Sequence, residues 1–166
     1  VARQLKADML MADVRPAEAI EVLEEARKLH PHSEATLGRL AATYAAVDGM
    51  PEGKPAARMK AILDEAEKHN PHCGEFYLLM GESFDRMRRY PLAAAQLRLA
   101  QEKMPQLIQV RGQLGMTLMR LGEEVEAAKR LEEAFTIDPY NVRVKNTLEV
   151  LDVLKGHAVL ETAHFV

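Results

Sequence analysis

Apolar residues return along this chain at three- and four-residue intervals, in segments of helical length broken by proline, glycine and histidine. The clearest regularity is a Leu-x-x-Ala pair followed, five residues after its alanine, by proline. It occurs as Leu23/Ala26/Pro31, Leu63/Ala66/Pro71, Leu97/Ala100/Pro105 and Leu131/Ala134/Pro139. The last three sets are 34 residues apart and the first step is 40. Upstream of each set stands a second helical segment with a small residue and, three positions later, a large one: Ala7 and Leu10, Ala41 and Tyr44, Gly81 and Phe84, Gly115 and Leu118. Ala19, Ala93 and Ala127 open the following segments. Small residues let two antiparallel helices approach closely, and a large residue on the facing helix fills the gap. The pattern therefore predicts four antiparallel helical hairpins.

The punctuation agrees. A proline disfavours helix in its predecessor, so Pro31, Pro71, Pro105 and Pro139 each stop a second helix. Pro16, Pro55 and Pro91 stand where second helices begin, the place that tolerates a missing N–H. Ser33 and Asn141 are good N-caps for the helices that start after them. From Asn141 to Lys155 the apolar positions Val142, Val144, Leu148, Leu151 and Leu154 predict one further helix, with Gly156 as its C-cap. This helix is expected to cover the last hairpin, as a terminal cap must. The second unit carries an insertion, Asp48-Gly-Met-Pro-Glu-Gly-Lys-Pro55, which reads either as a tolerated surface loop or as a contact loop for a partner.

The 34-residue period and the small-large pairs resemble the tetratricopeptide repeat, over residues 1–141 and most strongly over 74–141. The family's tryptophan slot holds Arg3, Leu37, Tyr77 and Arg111, and Met59 stands where alanine is expected, so packing in the second unit is the least regular. The resemblance implies an all-α fold: an α-solenoid of about four antiparallel helix-turn-helix hairpins with a C-terminal capping helix, spanning 1–155. Residues 156–166 would then be an extended stub of a following domain, since His157 to Val166 have β-branched and aromatic residues, follow a glycine stop and read as a first strand. That switch, and an opening Val1, are what a segment of a longer polypeptide would be expected to show.

A second resemblance concerns the run Tyr140 to Gly156 with Leu160 to Val166, and the stretch Asn70-Pro-His-Cys-Gly-Glu-Phe-Tyr77. Both are similar to bacterial proteins in which tetratricopeptide repeats precede a zinc metallopeptidase-like domain of the gluzincin type. The resemblance implies a non-catalytic recognition arm of such a protein. It transfers no catalytic residue, because the zinc motif would lie beyond Val166. Glu161 and His164 lack the two-histidine helical spacing that motif requires.

Composition narrows the function. A net charge of −3 argues against nucleic acid, whose phosphates need a concentrated positive field. No apolar run reaches the roughly 20 residues of a membrane helix, and the lone Cys73 excludes an internal disulfide. There is no Gly-rich phosphate loop, nucleophile elbow or His-Glu-x-x-His helix, so no enzyme activity and no cofactor are expected. His30 and His32 beside Pro31, and His69, His72 and Cys73 around Pro71, could in principle bind zinc. Adjacent hairpins stack roughly 10 Å apart, however, so these turns should lie too far from one another and no metal site is expected. Paired carboxylates such as Glu24-Glu25, Glu123-Glu124 and Glu132-Glu133 read as solvated helix faces.

What remains is binding. Stacked hairpins curve, and their first helices line the inner wall. The repeat register places Gln4, Asp8 and Met11 of the first unit on that wall, with Gly38, Ala42 and Ala45 as a shallow small-residue stretch in the second. The expected partner-binding residues are Leu78, Glu82, Asp85 and Arg86 in the third unit, Met116, Met119 and Arg120 in the fourth, and Arg143 and Asn146 on the capping helix. Adaptable methionines beside charges of both signs suit an extended peptide or partner protein. Some members of the resembled family hold a chaperone's terminal carboxylate with a Lys/Asn/Arg clamp. The matching slots here are Gln4, Asp8, Gly38, Ala42, Leu78 and Glu82, so that ligand is not expected.

Overall fold

The computed structural model describes residues 1–50 and 53–157. Among them the backbone forms nine α-helices: α1 Ala2–Ala12, α2 Pro16–Leu29, α3 Glu34–Asp48, α4 Ala57–His69, α5 Gly74–Arg86, α6 Tyr90–Lys103, α7 Gln109–Arg120, α8 Glu124–Ile137 and α9 Val142–Lys155. Successive helices pair as four antiparallel hairpins and α9 closes the array, giving the all-α solenoid that the periodicity predicts. Every second helix ends two residues before its proline, at Leu29, His69, Lys103 and Ile137. Ser33 Oγ accepts the Thr36 N–H at 3.3 Å and Asn141 Oδ1 accepts that of Val144 at 3.2 Å, so both N-caps form. Pro16 and Pro91 lie in the first turns of α2 and α6. Pro55 does not start its helix: α4 begins at Ala57, with Ala56 as N-cap.

The small-large pairs meet across the hairpins. A methyl group on Gly81 would stand 2.8 Å from Leu97 Cγ, and one on Gly115 would stand 2.6 Å from Leu131 Cγ. In the last two hairpins the leucine of the Leu-x-x-Ala pair therefore seats over the small residue of its partner helix. Leu23, Leu97, Phe84 and Leu118 are fully buried in one core cluster that runs from the first hairpin to α7 and the start of α8, and Leu131 is fully buried in a second cluster with Ala134, Val144 and Leu151.

The second unit departs from its neighbours. Met59 is buried in the alanine slot, and α4 has the slimmest contact with its own hairpin partner. Helix α5 packs instead on α3, and α4 touches it little. A methyl group on Gly38 would come within 2.4 Å of the Phe76 carbonyl oxygen, and Ala42 and Ala45 are wholly buried. The small residues expected to form a shallow groove wall are thus the seat of a neighbouring helix. Glu34 completes the union, its carboxylate accepting from the Phe76 N–H at 3.0 Å and from Asn70 Nδ2 at 2.6 Å. That carboxylate caps the start of α5, whose own N-cap residue Cys73 offers no side-chain bond. The flanks of the insertion are tied by an Asp48–Arg58 ion pair with a 2.8 Å hydrogen bond, and the Arg58 guanidinium lies 4.4 Å from the Tyr44 ring centroid.

Helix α9 buries Val144 and Leu151 against the last hairpin, with Val144 Cγ2 over Gly112. Counting 34 residues on from Gly115 and Leu118 gives Glu149 and Asp152. Both are exposed and paired with Lys145 and Lys155, so the face that would receive another second helix carries charge. Gly156 is the C-cap at φ −85, and His157 closes the turn through a 2.8 Å contact from Nδ1 to the Val153 carbonyl. The rest of the expected extended stub, 158–166, lies outside the described residues.

Candidate interaction groove

The first helices α1, α3, α5 and α7 lie beside one another, as the expected inner wall requires, and three of them end in one repeated turn. After α1, α5 and α7 the residue in left-handed conformation is Val14 (φ 58), Arg88 (φ 58) and Gly122 (φ 75). The next N–H reaches back to the carbonyl of Leu10, Phe84 and Leu118 at 2.8, 2.9 and 3.0 Å, the six-to-one bond of a Schellman motif. Between the first three units, the turns after α1 and α5 help line an open cavity of about 630 Å³. Its lining includes Ala7, Asp8 and Met11 of α1, Arg39 and Thr43 of α3, Ser83 and Arg86 of α5, and Val14, Met87, Arg88 and Arg89 of the turns.

Charge on the wall is arranged in two linked sets. Asp8 receives Arg39 Nε at 3.1 Å and Arg86 Nη2 at 3.2 Å, joining the first three units. Asp85 receives Arg120 Nη1 at 2.8 Å and the Thr117 hydroxyl at 2.9 Å, joining the third and fourth. Arg120 also lies 5.6 Å from the Tyr90 ring centroid, a cation–π separation. Glu82 lies between the sets, 3.8 Å from Arg86. Burial pushes its carboxyl above the ordinary value, against the pull of Arg86 and Arg39.

The structure thus brings together Glu82, Asp85, Arg86 and Arg120 of the expected groove, while Met116 and Met119, on the same helix as Arg120, are half-buried against the core of the last hairpin. Arg143 and Asn146 are exposed on α9. Leu78 is only 6% exposed and belongs to the core. Arg39, Val14, Arg88 and Arg89 were not expected on this wall. One sequence signal could have found two of them: Val14 and Arg88 occupy the turn position that is glycine at 122.

The histidine turns lie closer together than hairpin stacking suggests. The His32 and His69 rings stack with centroids 3.8 Å apart and planes 9° from parallel. The Asn70–Glu34 bond draws the end of α4 onto the start of α3 and closes the gap that was expected to separate them. Face-to-face rings do not aim their nitrogens at a common point, and no group of three metal-ligating residues forms among the described residues. Cys73 is fully buried, and burial pushes its thiol upward, away from the thiolate a metal or nucleophilic role needs. Among the described residues no helix is long and apolar enough to cross a membrane.

No protein-family model matches the chain, and no curated protein does. Solved structures do. A crystal structure of MamA is 20% identical, with 90% of this chain and 84% of that chain covered and a TM-score of 0.58. MamA residues 41 to the end from Desulfovibrio magneticus RS-1 are 16% identical over 93% of this chain and 84% of that one, with a TM-score of 0.56. MamA from AMB-1 gives 20% identity over 94% and 89%, with a TM-score of 0.55. At such identities the likeness is one of fold. Together with the repeat register, it makes this chain an α-solenoid of tetratricopeptide type, the architecture it shares with MamA.

Proposed function

We propose that the chain is a protein-interaction scaffold that takes an extended peptide or partner segment along its inner wall. The observation that carries this reading is the ladder of side chains across units: Asp8, Arg39 and Arg86, then Asp85 and Arg120, with the half-buried Met116 and Met119 on the same helix as Arg120. The ion pairs hold the guanidinium groups in place while leaving Arg86 and Arg120 exposed, and such groups lose little entropy on binding. The methionines supply apolar surface that can repack around varied side chains. Glu82, Arg143 and Asn146 extend the surface towards both ends; Leu78 supports it from beneath. No catalytic chemistry is assigned to the chain.

The test is a selection of random displayed peptides on the whole chain, followed by affinity measurement on variants. Arg86→Glu with Arg120→Glu should weaken the selected peptides at least tenfold while the helical circular dichroism stays unchanged, because both guanidinium groups belong to exposed side chains outside the core. Met116→Ser with Met119→Ser should weaken them as well. Affinities unmoved in both double variants would remove the assignment. The alternative reading, a recognition arm of a larger zinc metallopeptidase-like protein, rests on sequence similarity around 70–77 and 140–166. The three solved structures described above are of MamA, and none of those three is named as a peptidase.

A further inference from the structure

We infer that the cavity at the turns of the first three units is a socket for an acidic peptide segment carrying a large apolar side chain. The inference rests on the reading of the inner wall as a peptide surface and adds a place and a ligand chemistry to it. Three observations converge. The first is shape. At about 630 Å³ the cavity falls in the range of ligand pockets, about 300–1,000 Å³. Its floor is built of Ala7, Met11, Leu23 and Met87, which favours an apolar side chain.

The second is charge. Four guanidinium groups, Arg39, Arg86, Arg88 and Arg89, line the cavity with a single carboxylate, Asp8, in a chain whose net charge is −3. Asp8 already receives Arg39 and Arg86, and Arg89 donates to the Ala45 carbonyl at 3.3 Å. The Arg88 guanidinium has no hydrogen-bond or ion-pair partner among the described residues. Two other carboxyls, both on α5, do not cancel this surplus. Asp85 is held by Arg120 and Thr117, and burial of Glu82 disfavours its charged form. Carboxylates on an incoming segment are the complement, since arginine binds them through paired hydrogen bonds.

The third is strain at the rim. Val14 and Arg88 hold left-handed backbone conformations that side chains disfavour, and a β-branched residue most of all. The same turn in the fourth unit uses glycine, and that turn does not line the cavity. Side chains kept where glycine fits better are kept for what they do. Here valine supplies apolar wall and arginine the unpaired cation.

The experiment titrates the full chain into a fluorescein-labelled peptide with a central Leu-Phe pair flanked on each side by three glutamates. Two controls replace the glutamates by lysine, or the central pair by Gly-Gly. The acidic apolar peptide should bind, and each control should bind at least tenfold more weakly. Arg88→Glu should weaken binding at least tenfold. Arg88→Gly and Val14→Gly should raise the melting temperature yet weaken binding, an outcome that loss of folding cannot imitate. Equal binding of either control, or an unchanged Kd in Arg88→Glu, overturns the socket. A peptide that responds to Arg86→Glu with Arg120→Glu but not to Arg88→Glu leaves the groove standing and removes the socket. Absence of binding removes the socket as well, and the displayed-peptide selection then decides the groove alone.

Discussion

At Gly38 a methyl group would meet backbone: the Phe76 carbonyl oxygen at 2.4 Å and the Met80 nitrogen at 3.1 Å. At Gly112 it would meet the far end of a side chain, Val144 Cγ2 at 3.1 Å, with Ala134 Cβ at 3.8 Å. Both glycines lie inside helices, where alanine is favoured by about 1 kcal/mol. The two substitutions should therefore diverge. Gly38→Ala forces α3 and α5 apart and should cost about 1–3 kcal/mol, as overpacking of a core does. Gly112→Ala asks only a small shift of Val144 and should stay within about 0.5 kcal/mol of the parent, the scatter of an untroubled site. Urea midpoints of the two variants measure this. Similar losses in both would mean that α3 and α5 are not in backbone contact.

Helices α4, α5 and α6 are joined by a side-chain chain through Glu67. Its carboxylate accepts from the Tyr77 hydroxyl at 2.7 Å and pairs with Lys103 at 2.9 Å. These two partners, Tyr77 first, hold the Glu67 carboxyl below its ordinary value. A carboxyl lowered on folding adds stability above its unfolded value, 4.5, and loses it as pH falls through the lower folded value. The partner phenol is shifted the other way, upward, chiefly by burial and then by the carboxylate. Tyr77→Phe should lower the melting temperature at neutral pH, and the gap from the parent should shrink as pH falls below about 4. A gap constant from neutral pH to about pH 3 would show that the bond to ionised Glu67 contributes nothing. The link matters for the element because α4 has little contact with α5 and so depends on such side-chain ties.

Each unit in the array touches mainly its neighbours, so stability is expected to pass along it as a sum of nearest-neighbour terms. Val144 is fully buried where α9 meets α7, at the end of the described array. Val144→Asp puts a charge there without a partner, and such a charge is strongly destabilising. Hydrogen exchange followed by segment should lose protection in α8 and α9 while α5 and α6 keep theirs. Uniform loss along the chain would show one cooperative unit in place of a linear array. The fold itself was legible at this scale because repetition multiplies weak signals: four leucine-alanine-proline sets in phase fix hairpins that no single set would. The groove was less legible. Arg86, Arg120 and Asp85 could be placed by register, whereas Arg39 and Arg89 enter the wall through the close seating of α3 and α5 and the turn after α5.

The division between sequence and tertiary structure comes from the range of the forces involved. Helix period, prolines two residues past each second helix, the Ser33 and Asn141 caps and the glycine-leucine contacts depend on residues a turn or a hairpin apart, and the chain determines them by itself. Small residues are ambiguous beyond that distance, since glycine and alanine suit an open groove and a close helix contact equally. Which of the two Gly38, Ala42 and Ala45 serve was decided only when α5 settled on α3 and α4 stood aside. The same packing closed the distance between His32 and His69 and drew Leu78 into the core. It also gathered four arginines from α3, α5 and a turn around one cavity. Local periodicity names the helices; the burial of one unit against the next decides which of their faces remain for a partner.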